Sequence, residues 1–549
     1  MSIGRSVRIL GALTVLAVTC ASPATANTQR SERMDSFGES IDRRVPGLMS
    51  RYSVPGVSIA LVDEGELVWN RGYGEGIDDA SIFQVASISK TVTAWAVMNL
   101  VENGDVSLDS PLVDHVSWKP PASKFDERAI TIRRLLSHTA GLSVQGVDGV
   151  ERRSDLVSTK PALEGKGDNP VVRLIDAPGR DWSYSGGGYG ALQLLLEETH
   201  EERFSEVMRK RVLEPLGMDE SSFDPSTELR RRLPTARSFD GRVAPPYHYV
   251  LKAAAGLNTT ARDLARFAAA TVDPQHQDVV TPRDVSQMLR PEPNTSGLFS
   301  PFATGGYGLG YATERLEGGR TLASHTGSNP GWASLMSVIP EERAGIVVLT
   351  NADTGLLMYA DLLCDWVPSV AGVQSSLCRS LSGIRVATVV MWLLVAIGLL
   401  ALVIYIRTRG GRRTPQSRRG LLLGAAVGLG AVAWLLIWHI LGVGGVQLAD
   451  VVSPSFIWVT VAVEVAAIAF LVTVVQFSIP VRKLAAPLLG TSLAVWIIVM
   501  HSDLLSRLVL GRDGYVPRDS LPAAIWVITG VLALLTIALF TRKRQRLTE

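Results

Sequence analysis

Apolar runs near both ends of a globular region predict the strands of one sheet. Residues 57–62 are almost entirely apolar, and residues 66–69 follow across a short turn that contains glycine, which predicts a β-hairpin. Residues 335–339 and 346–350 are two more apolar runs, typical of buried strands. We expect the two ends of the region to pair in one antiparallel sheet.

Helical patterns lie between these strands. Apolar positions continue through residues 86–101 with few turn residues, residues 132–136 are amphipathic, and residues 189–198 are rich in leucine. Strands at both ends with helices between them predict an α+β fold for residues 27–381.

The first 26 residues predict a signal peptide. Arg5 and Arg8 precede an apolar run at residues 9–18, and small residues follow up to Ala26, where we expect cleavage. The run is too short to span a bilayer. Lipoprotein processing at Cys20 is disfavoured because Thr19 is bulkier than the residue such processing prefers.

The C-terminal part, residues 382–549, predicts an all-α transmembrane domain. Its apolar segments are residues 386–406, 421–443, 456–477, 484–500 and 521–541. Arginine and lysine concentrate in the first and third connections and after the last segment, whereas the second connection has no basic residue. Basic loops remain in the cytoplasm. We therefore expect a multi-pass protein of the cytoplasmic membrane, with residues 27–381 outside, the C-terminus inside and the lipid bilayer as a partner.

Charge and cysteine content limit the remaining classes. A formal net charge of +2 over 549 residues gives no reason to expect nucleic acid as a partner. Cys364 and Cys378 lie in the predicted exported part, where either a disulfide or two free buried thiols is consistent with the sequence.

A first chemical motif places Ser87 and Lys90 three residues apart in a predicted helix. Residues with this spacing share one helix face, so the amine and the hydroxyl can form a hydrogen bond. A serine hydroxyl is a poor nucleophile unless a base activates it, and a lysine with a lowered pKa can serve as that base. The spacing alone is a weak motif, and its interpretation depends on the residues downstream.

Two downstream stretches add candidate groups. Tyr184 lies in a glycine-rich turn, where a neighbouring lysine ammonium would stabilise a phenolate able to act as base and acid. A turn that is simply filled by an aromatic ring is the alternative. The second stretch, residues 324–331, is also expected as a turn. Its His325 would supply a donor or a positive charge. It includes Ser328, whose N–H group is expected to stabilise an oxyanion together with that of Ser87.

Together these stretches resemble the serine β-lactamase and penicillin-binding protein superfamily, especially its class C-like branch. Members have Ser-x-x-Lys, Tyr-x-Asn and Lys-Thr-Gly or His-Thr-Gly in this order. The resemblance covers about residues 35–355, including the family-like segments 135–142, 255–265 and 347–351. It implies a β-lactamase/transpeptidase-like fold, in which helices and a helical subdomain flank an antiparallel sheet, with no metal or cofactor.

The resemblance also implies a role for each motif residue. Ser87 would be the acylated nucleophile, Lys90 would help to deprotonate it, and Tyr184 would pass the proton to the leaving group. Substrate binding and oxyanion stabilisation would involve Ser87, His325, Thr326, Gly327 and Ser328.

Two departures from the family pattern change the expected substrate. Gly186 replaces the asparagine of the tyrosine motif, and His325 replaces a lysine that would hold a permanent positive charge. Both favour an esterase-like or peptidase-like enzyme over an efficient β-lactamase or a strict D-Ala-D-Ala peptidase.

The sequence therefore predicts a membrane-anchored, extracytoplasmic serine hydrolase that acts on a peptide, amide or ester, with cell-wall peptides favoured by location. A sensor that binds cell-wall fragments or β-lactams and signals through the membrane helices is the alternative. A transporter is disfavoured because the apolar segments contain few ionisable residues.

Overall fold

A computed structural model describes residues 23–379, except 152–155, 168, 296–297 and 301–302. The signal sequence predicted up to Ala26 lies outside the described residues as far as residue 22, and so do all five predicted membrane segments. Within the described part of the chain, no helix combines the length and the apolar composition needed to cross a bilayer.

The strands, in chain order, are β1 (Gly56–Asp63), β2 (Glu66–Gly74), β3 (Phe83–Gln84), β4 (Ala236–Arg237), β5 (Val243–Ala244), β6 (Asn258–Thr259), β7 (Leu298–Ser300), β8 (Ala303–Tyr307), β9 (Ala312–Arg315), β10 (Thr321–Asn329), β11 (Trp332–Ile339) and β12 (Ala344–Thr350).

The helices are α1 (Pro23–Tyr52), α2 (Ile88–Glu102), α3 (Ile132–Leu136), α4 (Thr159–Leu163), α5 (Gly186–His200), α6 (Phe204–Met208), α7 (Thr227–Arg231), α8 (Lys252–Ala255), α9 (Ala261–Val272), α10 (Pro282–Met288) and α11 (Gly355–Ala371). A π-helical segment, Arg209–Leu213, continues α6.

One antiparallel sheet organises the described residues, with strand order β2-β1-β12-β11-β10-β9-β8-β7. The β1–β2 hairpin is confirmed, with Asp63 opposite Glu66. The two ends of the region also pair as predicted, with Val57 of β1 opposite Thr350 of β12. The two-stranded ladders β3–β6 and β4–β5 lie apart from this sheet.

Helices cover both faces of the central strands. Side chains of a strand alternate between faces, and in β1 Ile59 and Leu61 join a cluster with residues of α1 and α11. Ala60 and Val62 instead join the larger cluster that contains residues of α2, α5 and α9. Burial on both sides explains why β1, β11 and β12 are continuous apolar runs in the sequence. The predicted α+β class is confirmed.

Two predicted turns are regular structure instead. The α5 helix begins at Gly186, three residues earlier than predicted, because the Ser185 side chain accepts the Gly188 N–H group and caps the helix. The predicted turn at residues 324–331 is mostly strand β10, which pairs with β11 as far as Asn329.

A disulfide joins Cys364 of α11 to Cys378, with an S–S distance of 2.05 Å. Of the two alternatives that the sequence left open, the disulfide is the one formed. It fastens the segment after α11 to the helix that covers one face of the sheet.

We predict that Cys364→Ala/Cys378→Ala lowers the free energy of unfolding by about 3 kcal/mol, because opening a loop of this size restores entropy to the unfolded chain. Urea unfolding followed by tryptophan fluorescence measures this loss. A reducing agent should destabilise the wild-type protein equally and leave the double variant unchanged. Equal stability of wild type and variant would contradict the prediction.

Candidate active site

Ser87 is held at the start of α2 by the chain that precedes it. The β3–β6 ladder and the Val85 N–H group, which donates to Leu257 O at 3.1 Å, anchor this segment. Ala86 has a φ of 47°, so the chain turns sharply from β3 into the helix. The Ser87 hydroxyl caps no N–H group of α2, and its residue is partly exposed between buried neighbours. The hydroxyl is therefore placed to react.

Lys90 lies beneath Ser87. Its Nζ atom is 3.1 Å from Ser87 Oγ and donates to Ala254 O at 2.8 Å. The side chain is only 2% exposed, and this burial lowers the pKa of Lys90 from 10.5 to about 7. A neutral amine that donates one hydrogen to Ala254 O keeps a lone pair able to accept the serine proton. Lys90 is thus suited to act as the base.

Tyr184 lies next to both Lys90 and Ser87. Lys90 Nζ is 4.8 Å from the centre of the tyrosine ring, which is partly exposed, while the hydroxyl is buried. Burial raises the pKa of Tyr184, and a hydrogen bond with Ser87 only partly opposes this. The predicted phenolate is therefore disfavoured, because burial also removes the lysine charge that would stabilise it. A neutral phenol can instead donate a proton to a leaving group.

His325 lies on the same side of the sheet as Lys90, but it is not charged. It is 1% exposed, and its Nε2 atom is 3.0 Å from Tyr307 Oη. Burial and the neighbouring Lys90 lower the pKa of His325 to about 3. Of the donor or positive charge that the sequence suggests for His325, the positive charge is therefore disfavoured. The His325 ring lies near Tyr184, with 6.4 Å between the ring centres.

The Thr326 side chain points away from Lys90, Tyr184 and His325. Its side chain forms a hydrogen bond with Tyr359 of α11, on the opposite face of the sheet from His325. Alternation along a strand requires this, since His325 and Thr326 are neighbours. The Thr326 hydroxyl therefore ties β10 to α11, and the substrate-binding role of Thr326 stays a prediction.

Gly327 allows β10 to approach the nucleophile segment. A Cβ atom on Gly327 would lie 2.2 Å from Val85 O and 2.4 Å from Ser334 Oγ, so no side chain fits here. Ser328, the next residue, is exposed. In the described part of the chain β10 pairs with β9 only between residues 321 and 324, which leaves the edge at residues 325–328 without a strand on that side. The oxyanion role of the Ser328 N–H group stays a prediction.

Close packing explains why residue 186 is a glycine. A Cβ atom there would lie 2.9 Å from Val147 Cγ1 and 3.1 Å from Gln145 O. The Gly186 N–H group donates to that same carbonyl at 3.1 Å. The start of α5 therefore lies too close to residues 145–147 for the asparagine that the family pattern has at this position.

Two residues at the site were not predicted as site residues. His138 lies 4.3 Å from Tyr184 and 5.0 Å from Tyr307 between ring centres. His138 falls in a segment that the sequence marked only as family-like, and Tyr307 gives no sequence signal at all. Within the described residues, no group of three or more His, Cys, Asp or Glu side chains is arranged to hold a metal ion.

We predict that the rate of serine acylation rises with pH through about 7, because the fraction of neutral Lys90 rises as pH passes its lowered pKa. The pH dependence of kcat/KM for an ester measures this. Lys90→Ala should reduce the rate at least about a hundredfold and abolish this rise. A wild-type rate that is flat between pH 6 and 8, with Lys90→Ala still active, would contradict the assignment.

Comparison with known proteins gives several relatives. Penicillin-binding protein 4 from Amycolatopsis lactamdurans is 28% identical over 357 residues, which cover 60% of this chain and 90% of that protein. Protein flp from Staphylococcus aureus strain N315 is 23% identical over 335 residues, which cover 58% of this chain and 63% of that protein. A solved structure, the octameric penicillin-binding protein homologue from Pyrococcus abyssi, aligns with a TM-score of 0.48 at 24% identity, covering 59% of this chain and 77% of that one.

The protein-family model described as Beta-lactamase matches residues 41–361, which is more than half of the chain and includes every motif residue described above. The chain is therefore a serine hydrolase that belongs to the Beta-lactamase family.

Proposed function

We propose that this protein is a membrane-anchored, extracytoplasmic serine hydrolase that forms an acyl-enzyme at Ser87. The observation that carries the proposal is the 3.1 Å distance between Lys90 Nζ and Ser87 Oγ, with the amine buried and its pKa lowered to about 7. An adjacent base of this kind is what a serine nucleophile requires near neutral pH.

The proton path follows from the positions of the three side chains. Ser87 Oγ attacks the substrate carbonyl carbon while its proton passes to Lys90 Nζ. The N–H groups of Ser87 and Ser328 stabilise the oxyanion. When the bond to the leaving group breaks, Tyr184 donates its proton to the departing atom and recovers one from the Lys90 ammonium. Water then attacks the acyl carbon and passes a proton to Lys90, the bond to Ser87 Oγ breaks to release the acid, and Lys90 returns the proton to Ser87 Oγ.

Electroneutral substrates suit this site. His325 stands where the family pattern often has a lysine, and its lowered pKa keeps it neutral. A substrate carboxylate would lose hydration near this position without gaining a cationic partner from His325, and that loss is costly. Neutral esters and neutral peptide amides are therefore favoured, with cell-wall peptides suggested by location. A β-lactam belongs among the candidate ligands because the Amycolatopsis relative is named a penicillin-binding protein.

The membrane location rests on the sequence alone. Export through the predicted signal peptide and arginine-rich connections between the apolar segments would both place residues 27–381 outside the cytoplasmic membrane. The sensor alternative also stays a prediction, since signalling would require the membrane segments.

We predict that a fluorescent fluorophosphonate labels the protein in membranes and that Ser87→Ala abolishes labelling, because Ser87 Oγ forms the covalent bond. A fluorescent penicillin, tested in parallel, shows whether β-lactams also acylate Ser87. Ser123→Ala is the matched control, because Ser123 is an exposed serine that belongs to none of the catalytic motifs. This variant should label normally. Unchanged fluorophosphonate labelling of Ser87→Ala would refute the acyl-enzyme. Fluorophosphonate labelling without penicillin labelling would exclude a long-lived penicillin acyl-enzyme at Ser87.

We predict that p-nitrophenyl butyrate has a kcat/KM at least about tenfold higher than the anionic p-nitrophenyl hemisuccinate, because His325 offers no positive charge. His325→Lys should narrow this difference. Comparing both esters on both proteins provides the test, and circular dichroism checks that the variant is folded. Equal rates for the two esters on the wild-type protein would show that a cationic group elsewhere binds the substrate.

A further inference from the structure

His138 holds the chain on both sides of Tyr184. The Ser183 N–H group donates to His138 O at 2.8 Å, and the Ser185 N–H group donates to His138 Nδ1 at 3.1 Å. The imidazole also lies against the tyrosine ring, with 4.3 Å between the ring centres and 40° between the planes. One residue thus contacts the residue before Tyr184, the residue after it and the ring itself.

His138 is itself held rigidly and at a cost. Its φ of 59° is in the left-handed region, which is unfavourable for a residue with a side chain. It is 2% exposed, and its ring centre lies 5.2 Å from that of Tyr189 and 5.0 Å from that of Tyr307. Strained, buried residues of this kind concentrate at functional sites. Here the strain directs the imidazole at the Tyr184 segment.

The hydrogen bond from Ser185 fixes the protonation state of this imidazole. Nδ1 accepts a backbone N–H group, so the ring proton must be on Nε2. Burial, followed by the neighbouring Lys90 and His325, keeps the pKa of His138 well below its ordinary value. The acceptor at Nδ1 therefore persists whether Lys90 is neutral or charged during the reaction. Without this acceptor the buried Ser185 N–H group would lack a hydrogen-bond partner, which is unfavourable.

We propose that His138 is a positioning residue for proton transfer by Tyr184. It keeps the phenol hydroxyl beside Ser87 by accepting the Ser185 N–H group and by packing on the tyrosine ring, and it exchanges no proton with the substrate. This inference rests on the proposed acyl-enzyme function, in which Tyr184 protonates the leaving group.

The dependence of the rate on the leaving group distinguishes this role from a general structural one. A p-nitrophenyl ester releases a weakly basic anion that needs little help from a proton donor, whereas a phenyl ester releases a more basic one. A displaced Tyr184 should therefore impair phenyl butyrate far more than p-nitrophenyl butyrate. Tyr184→Phe, which lacks the proton donor, sets the reference pattern.

The test compares His138→Leu with His138→Asn in the full chain. Leucine has no hydrogen-bond acceptor. Asparagine tolerates positive φ, and its Oδ1 atom can lie close to the position of Nδ1. We expect His138→Leu to lower kcat/KM about a hundredfold for phenyl butyrate and no more than about tenfold for p-nitrophenyl butyrate. His138→Asn should recover phenyl butyrate hydrolysis to within about threefold of wild type, with little change in KM for any variant.

Three outcomes would overturn the inference. These are equal losses on both esters, an asparagine variant as impaired as the leucine variant, or an additive loss when His138→Leu is combined with Tyr184→Phe. If the leucine variant does not fold, His138→Gln replaces it with the same expectation, since its amide extends beyond the Nδ1 position. Undiminished hydrolysis by Ser87→Ala would instead refute the proposed function. An inactive Ser87→Ala beside a wild-type-like His138→Leu would remove only the positioning role.

Discussion

Desolvation of the Lys90 amine is the constraint on which this site depends. Moving the pKa from 10.5 to about 7 disfavours the ammonium by about 5 kcal/mol in the folded protein. The fold bears this penalty fully below pH 7 and loses it as pH rises toward 10.5, because the unfolded chain keeps its proton over that interval. What the protein gains is an uncharged amine 3.1 Å from a serine hydroxyl at neutral pH. An exposed lysine at the same spacing would be protonated and could not accept the serine proton.

The same buried surroundings that act on Lys90 also shift the pKa values of the neighbouring tyrosine and histidine side chains. The Tyr184 hydroxyl is buried together with Tyr189, Tyr307, His138 and His325, and each of these groups favours its neutral form for this reason. A cluster of neutral groups supports the amine without adding charge beside it. The consequence for recognition is that this side of the site lacks the lysine that a Lys-Thr-Gly motif would provide, so the same burial that activates the base also influences the choice of substrate.

Much of the fold was predictable because the pattern of apolar residues is a direct record of burial. Strands covered on both faces, such as β1 and β12, are continuous apolar runs, and α3 shows the expected helical spacing. The glycines before Tyr189 predict a turn, whereas the Ser185 cap and close packing at Gly186 make them the first turn of α5. The small polar residues of the 324–331 segment also predict a turn because they lack an apolar run, although pairing with β11 makes most of the segment a strand.

The identities and order of the reacting groups can be recognised from the amino-acid sequence: the Ser87 and Lys90 spacing, Tyr184 and the His325 motif. Their protonation states, the directions in which they point and the residues that support them depend on tertiary contacts. Protonation depends on burial by segments far away in the chain, such as the α8 helix that contains Ala254. The direction of each side chain depends on the sheet register, which directs His325 toward Lys90 and Thr326 toward α11. Contacts between residues far apart in the chain, such as His138 with Ser185 and His325 with Tyr307, have no local signature. Neutrality and position are properties of the assembled core, and no short stretch of sequence contains them.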